Sequence, residues 1–413
     1  MESHVLLKGG RVYTGTDKVI ENGFVEISDG HIGRVGSVAD LQSDLDASIV
    51  DTSGSTVLPG LIDTHVHVFH EAQMMRLPEG AAALWGANYL QSALRAGVTT
   101  VRDLGAQTPA IFGLKRALNA GYVVGPRLLV SGQAICMTGG HGWANLSVEA
   151  DGPDAVRRIA RQQLKSGADV IKLMASGGAG TPGELPTSVQ LSMEEMQVAV
   201  IEAHNAGKPV AAHALATQGI INAIKAGVDT VEHGVFLNDE AIELLLKHDV
   251  TLCPTISVYP RIVERGQSGG EAQFVIDKSV PLITPHFESF GKAVKAGVRI
   301  VFGTDSATLY NPIGDFSTEM ELMVKAGMTP LEVLRSATST AANICGILES
   351  VGTLDTSKEA DILVVAGDPT RDIAALNTPN AVYRRGQLVY SRGKGYRNAS
   401  LTAMPVLQAD LRR

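Results

Sequence analysis

Apolar positions along the chain fall into two textures. At the start, VLLKGGRVYTG, GFVEISDGHIGRVG and SIVDTSGSTVLPG are short β-branched stretches broken by Gly, Asp and Ser, the pattern of strands joined by turns. DILVVAGD and AVYRRGQLVYSRG resume that texture near the end. Between them, from about Pro59 to about Glu349, a helical stretch repeatedly ends in Ala-Gly or a similar pair, and a short apolar strand follows at once. RAGVTTVRDLG, KSGADVIKLMA, NAGKPVAAHAL, KAGVDTVEHGV and KAGVRIVFGTDS all obey this rule. Gly97, Gly167, Gly207, Gly227 and Gly297 sit where a helix end takes a left-handed residue. Adding Val57–Val68, Arg127–Ile135 and Thr251–Ser257 makes eight strands interleaved with helices.

This alternation predicts an α/β chain with a (β/α)8 TIM barrel over residues 59–349. Residues 1–58 and 350–413 are expected to pair into a small composite β-sandwich domain built from both termini. A doubly wound open sheet is the alternative reading of the same pattern.

Composition narrows the class. With 413 residues, 45% hydrophobic and 19% charged, the chain is globular and long enough for a barrel plus an accessory domain. A net charge of −8 without a basic block argues against a nucleic-acid partner. Cys136, Cys253 and Cys345 are odd in number and far apart, so no disulfide framework follows and a reducing compartment fits better. The opening MESHVLLKGGRVYTG lacks the features of a signal peptide. No run of about 18 uninterrupted apolar residues marks a membrane span. The expectation is a cytoplasmic protein acting on a small molecule.

In a barrel, chemistry sits at the C-terminal ends of the strands. The first strand ends in Asp63-Thr64-His65-Val66-His67, and strand alternation puts His65 and His67 on one face. The fourth carries Lys172 in an apolar stretch, where a charged amine is costly. The fifth carries His213, the sixth His233 and the eighth Asp305. Taken singly, each has a plain structural reading as a bonded core histidine, a paired lysine or a helix cap. Taken together, they fall at the ends of five strands that a barrel would bring to one mouth. Imidazole and carboxylate are good ligands for zinc-like divalent ions.

These residues, in this order, resemble the amidohydrolase superfamily. LPGLIDTHVH, AGVTTVRDLG, TGGHG, IKLMASGG, GKPVAAHA, VEHG, FGTDS and KEADILVVAGDP carry the resemblance through the whole chain. The closer likeness is to the branch of imidazolonepropionase-like amidohydrolases and metal-dependent Xaa-Pro dipeptidases, which includes ochratoxin-type amidohydrolases. The resemblance implies two divalent metal ions, zinc above all. His65, His67 and Asp305 would hold the more buried ion, and His213 and His233 the second. A CO2-derived carbamate on Lys172 would bridge them, and a water between the ions would become the nucleophile. Asp305 would take the water proton and pass it to the departing amine, and His141 of TGGHG would contact the substrate carbonyl. Relatives form dimers up to octamers, so the resemblance implies a homo-oligomer.

Other positions are read from the sequence itself. Ser176, Gly177 and Gly178 follow Lys172 and could shape the pocket through backbone donors. Tyr259 is either a substrate-side hydroxyl or an exposed loop tyrosine. Arg102 and Asp103 either support the ligands or pair with each other. Cys136 and Cys253 are read as small core residues, and His70 as part of the first loop. His204, His248 and His286 are given no role.

Three departures from the family pattern stand out. Leu215 replaces the second histidine of a His-Ala-His found in relatives. ATLYNPIGDF follows Asp305 without the histidine-glycine pair of close relatives, and Val235 and Phe236 follow His233-Gly234. These changes predict a more apolar pocket. The expected reaction is hydrolysis of an amide bond in a dipeptide or N-acyl amino acid, with a bulky aromatic acyl group favoured. Cyclic-amide ring opening and heterocycle deamination are alternatives, and Lys172 counts against the second. A non-enzymatic scaffold of this fold commonly loses ligands, and all six remain.

Overall fold

The computed structural model describes residues 4–41, 47–307, 310–393 and 395–396. Strands β1 (His4–Tyr13), β2 (Val19–Ser28), β3 (His31–Ser37), β4 (Ser48–Asp51) and β5 (Ser55–Pro59) open the chain. The central strands are β6 (Leu61–Val66), β7 (Val98–Asp103), β8 (Arg127–Val130), β9 (Ala134–Cys136), β10 (Ser147–Glu149), β11 (Ile171–Met174), β12 (Val210–Ala214), β13 (Thr230–His233) and β14 (Thr251–Cys253). The chain closes with β15 (Ile362–Ala366), β16 (Pro379–Arg384), β17 (Gln387–Ser391) and β18 (Gly395–Tyr396).

The central region is an α/β fold of the TIM-barrel type, with parallel strands separated by helices. β6, β7 and β8 pair in parallel. β9, β11, β12, β13 and β14 form a second parallel run. The expected third strand is split into β8 and β9, because the intervening Gly132 takes φ 69° and bends the chain. The first piece pairs with β7, the second with β11.

The expected eighth strand is an extended segment that lies between β14 and β6. Val301 N–H donates to Leu252 O (3.0 Å), Thr64 N–H to Phe302 O (3.2 Å) and Asp305 N–H to His65 O (2.8 Å). Its ladder is broken because Asp305 has φ 53°. All six residues of β6 are buried, as a strand covered on both faces requires. The helix glycines behave as their placement predicts: Gly167 and Gly297 end their helices at φ 100° and 82°.

Strands from the two chain ends meet where β15 pairs antiparallel with β5. The strands of both chain ends are linked in one hydrogen-bonded order, β18-β17-β16-β15-β5-β1-β2-β3, with β4 beside β1. The physical reason is that β5 has partners on both edges, β1 and β15, so the N-terminal and C-terminal strands share one hydrogen-bond ladder. Val5, Leu7, Val25, Ile27, Val57, Ile362 and Val364 form its core. Arg127 of β8 ties this sheet to the central strands through Glu359 (2.8 Å) and Asp361 (3.3 Å). No helix among the described residues is long and apolar enough to cross a membrane.

Candidate metal centre

His65 Nε2 and His67 Nε2 both face Asp305 Oδ1, at 3.4 and 3.3 Å. These three donor atoms lie within 4.8 Å of one another. β6 supplies the two histidines, and the Asp305 N–H bond to His65 O brings the carboxylate to them. Asp63 fixes that junction: it accepts from Thr304 Oγ1 (2.6 Å) and from the backbone N–H of Thr304 (3.1 Å) and His65 (3.2 Å). Burial pushes the Asp63 carboxyl up to about 7. The Asp305 side chain is 19% exposed, so it alone among the six predicted ligands opens appreciably to solvent.

Of the other three predicted ligands, His233 lies beside His65 and His213 beside His233. The His233 ring lies 5.2 Å from that of His65 and 4.6 Å from that of His213. His213 and His233 fall outside the three-atom cluster. His213 Nε2 is engaged with Gly177 O at 3.2 Å, and His233 Nδ1 with Thr255 Oγ1 at 2.7 Å. His233 and Asp305 hold left-handed backbones, φ 72° and 53°, a strain that persists only where the surroundings enforce it. His286 helps enforce it, since its Nε2 lies 3.0 Å from His233 O.

Lys172 on β11 is 1% exposed, and its Nζ has no hydrogen-bond partner among the described residues. Burial pulls its amine down to about 8. Burial likewise pulls His65 down to about 4 and drives His213 and His233 well below the ordinary imidazole value. Neutral imidazoles and a carboxylate are the form in which such donors bind a divalent ion. The orphaned buried amine of Lys172 is a polar group whose partner the described residues do not supply. The donor set therefore fits a metal.

His141 closes one side. Its ring stacks on His213, its Nδ1 lies 2.5 Å from Glu184 Oε1, and its N–H donates to Gln190 Oε1 (2.8 Å). Burial opposes ionisation of Glu184, but the bonds from His141 and its neighbours hold its carboxyl below the usual range. Gly178 is required here: a Cβ would sit 2.4 Å from His141 Cε1.

Gly177 and Gly178 do not offer the free backbone donors expected of them. Gly177 N–H is spent on Ser188 O (2.9 Å) and Gly178 N–H on Glu184 Oε1 (3.0 Å). The Ser176 hydroxyl accepts from Leu215 N–H (2.8 Å). The loop after β11 folds back on itself and consumes the Gly177 and Gly178 donors.

Tyr259 is not an exposed loop residue: it is buried, in the helix Val258–Arg265, with its ring edge-on to His286. Leu215 and Val235 are fully buried against Val258, Tyr259, Ile262 and Val275, with Phe236 packed alongside. They fill the space beneath a helical cover. In the loop after Asp305, Thr308 and Leu309 lie outside the described residues. Asn311 Nδ2 donates to Asp305 O at 3.0 Å.

Arg102 and Asp103 do not pair with each other. Asp103 accepts from Val68 N–H (2.7 Å) and Gly105 N–H (3.2 Å), while Arg102 reaches Glu232. The three cysteines are free and buried. His70 opens the helix His70–Met74, and His204 pairs with Asp229 at the surface. Glu232, Glu184 and Thr255 escaped the sequence reading. A charged residue inside the buried strand TVEH was the available signal for Glu232, because such a charge must be paired.

The chain resembles known proteins along most of its length. The model of the Amidohydrolase family matches residues 56–389. The chain is 33% identical to the ochratoxinase of Aspergillus niger over 429 aligned positions, covering 94% of this chain and 87% of that protein. It superposes on a Xaa-Pro dipeptidase with bound methionine in the active site at a TM-score of 0.85 and 30% identity, covering 94% of this chain and 99% of the other. A prolidase complexed with N-methylphosphonate-L-proline gives 0.86 and 31%, with coverage of 94% and 99%.

Proposed function

Because the chain belongs to the amidohydrolase family and is a metal-dependent hydrolase of C–N bonds, we propose that it cleaves the amide bond of a dipeptide or N-acyl amino acid, with a bulky aromatic acyl group favoured. The observation that carries this reading is the pair of imidazole nitrogens facing Asp305 beside a buried, unpartnered Lys172 Nζ. The relatives named for ochratoxin and for Xaa-Pro dipeptides support the substrate class.

His65, His67 and Asp305 would hold one divalent ion, and His213 and His233 a second. Lys172, as a carbamate formed with CO2, would bridge the two. Zinc is the proposed metal. Bound there, the ions would supply Lewis acidity and lower the pKa of water toward neutrality. Asp305, open to solvent, accepts the proton lost by the attacking water and hands it to the departing amine nitrogen. His141, oriented by Glu184, donates to the carbonyl oxygen as negative charge develops there.

Exposed Trp143 and Leu185 flank His141 and Glu184 on the same loops and would meet an apolar acyl group at the rim. The same reading takes the eight-stranded ring as closed and residues 1–58 with 350–413 as one domain around residues 59–349. It also carries cytoplasmic residence and self-association with it.

The test is a substrate panel on protein grown with zinc and bicarbonate: Xaa-Pro dipeptides, N-aroyl amino acids including ochratoxin, cyclic amides of the imidazolone type and amino-heterocycles. Faster amino-acid release from N-aroyl substrates is expected. A clear preference for small polar dipeptides overturns the acyl-group assignment. Ammonia release from heterocycles without amide cleavage overturns the whole reading.

A further inference from the structure

We infer that Glu232, braced by Arg102, is a positioning residue that fixes His65 with its proton on Nδ1 and its lone pair on Nε2, toward Asp305. The inference rests on the proposed role of His65 as a metal ligand.

Glu232 is fully buried on β13 and Arg102 is 1% exposed on β7. Glu232 Oε2 lies 2.8 Å from His65 Nδ1. Its other oxygen, Oε1, accepts from Arg102 Nη2 (3.2 Å) and Thr230 Oγ1 (2.5 Å). The same guanidinium donates from Nε to Thr64 O at 2.6 Å, one residue before His65. One ion pair thus clamps β6, β7 and β13 at the level of the candidate ligands.

An ionised carboxylate can only accept, so the ring nitrogen facing Glu232 carries the hydrogen. The imidazole then presents its free lone pair at Nε2, the nitrogen that faces Asp305 at 3.4 Å. Such an outer partner fixes the tautomer and ring orientation and makes the ligand more basic. His67 differs: its Nδ1 faces a neutral carbonyl, Gly105 O, at 3.3 Å. His65 is therefore the candidate ligand with a charged backing.

A buried ion pair is a poor source of stability in itself, since apolar residues of equal volume commonly do as well. Its termination on His65 gives it a purpose that stability does not. Cys253 also lies within reach of His65 and Glu232. Both Glu232 oxygens are already engaged, Oε2 with His65 Nδ1 and Oε1 with Arg102, so that group is not a separate cation site.

The test measures metal binding, by metal per chain after dialysis and by competition with a chromophoric chelator for zinc. The variants are Glu232→Gln, Glu232→Met and the double Arg102→Met/Glu232→Met, with His65→Ala as control. Glu232→Met strands the Arg102 charge and is expected to lower the melting temperature of the metal-free protein. The double variant removes both charges and is expected to recover it. Zinc affinity is expected to fall by about tenfold to a hundredfold in the double variant, and less in Glu232→Gln, which keeps an acceptor. Wild-type zinc affinity in a folded double variant overturns the positioning role. If instead wild type binds no zinc, or His65→Ala binds it undiminished, the metal reading itself fails.

Discussion

The imidazole of His141 lies flat against that of His213, ring centres 4.1 Å apart and planes 15° from parallel. One residue comes from the loop after β9 and the other from β12, so the stack joins a mobile class of element to a rigid one. Gly178 and Glu184, on the loop after β11, pin the first ring from the other side.

This packing makes His141 separable from the metal ligands. His141→Ala should lower kcat by about 10²-fold to 10³-fold, the usual cost of a lost oxyanion donor, with bound metal unchanged. Gly178→Ala should act in the same direction, because its new methyl displaces the ring. Steady-state kinetics alongside metal analysis checks both, and a variant that loses its metal would show that His141 is instead a ligand.

Lys172 is buried without a hydrogen-bond partner among the described residues, which would tie its fate to the proposed ions. Lys172→Ala should lose at least about tenfold in metal retention, no less than the loss of an outer-shell partner, and activity with it. Acetate or propionate should restore part of both by supplying the missing carboxylate. Full activity in the variant without such additives would contradict the bridging role.

Glu319 bears on stability. It is fully buried and accepts from Ile256 N–H (2.9 Å) and Ser257 N–H (2.7 Å) at the foot of the Tyr259 helix. Burial pushes its carboxyl up to about 7. The folded chain therefore holds this proton more tightly than the unfolded chain, where Glu titrates near about 4.3. Its contribution is complete below that value and is lost as pH rises through about 7. Melting temperatures measured from about pH 5 to about pH 8 should fall more steeply for the wild type than for Glu319→Gln, whose side chain has no charge to gain. Parallel curves would show that Glu319 does not titrate in this window.

By itself, the sequence determined the alternation of helix and strand, the glycine helix ends and the six candidate ligands with their order. Each is a local property: a period, a backbone preference or a titratable residue at a strand end. His65 and His67 were legible because strand alternation puts them on one face, and Lys172 because an amine in VIKLMA has no local partner. Tertiary structure alone decided which groups stand behind those ligands. Glu232 is 167 residues from His65 and Arg102 is 130 from Glu232, and nothing local says that they touch. It also decided that Leu215 and Val235 pack beneath a helical cover, that the Gly177 and Gly178 donors are consumed by their own loop, and that the terminal strands share one sheet. Partners for hydrogen-bond donors and apolar faces are chosen by what else is nearby in space, and that choice is made only when the chain closes on itself.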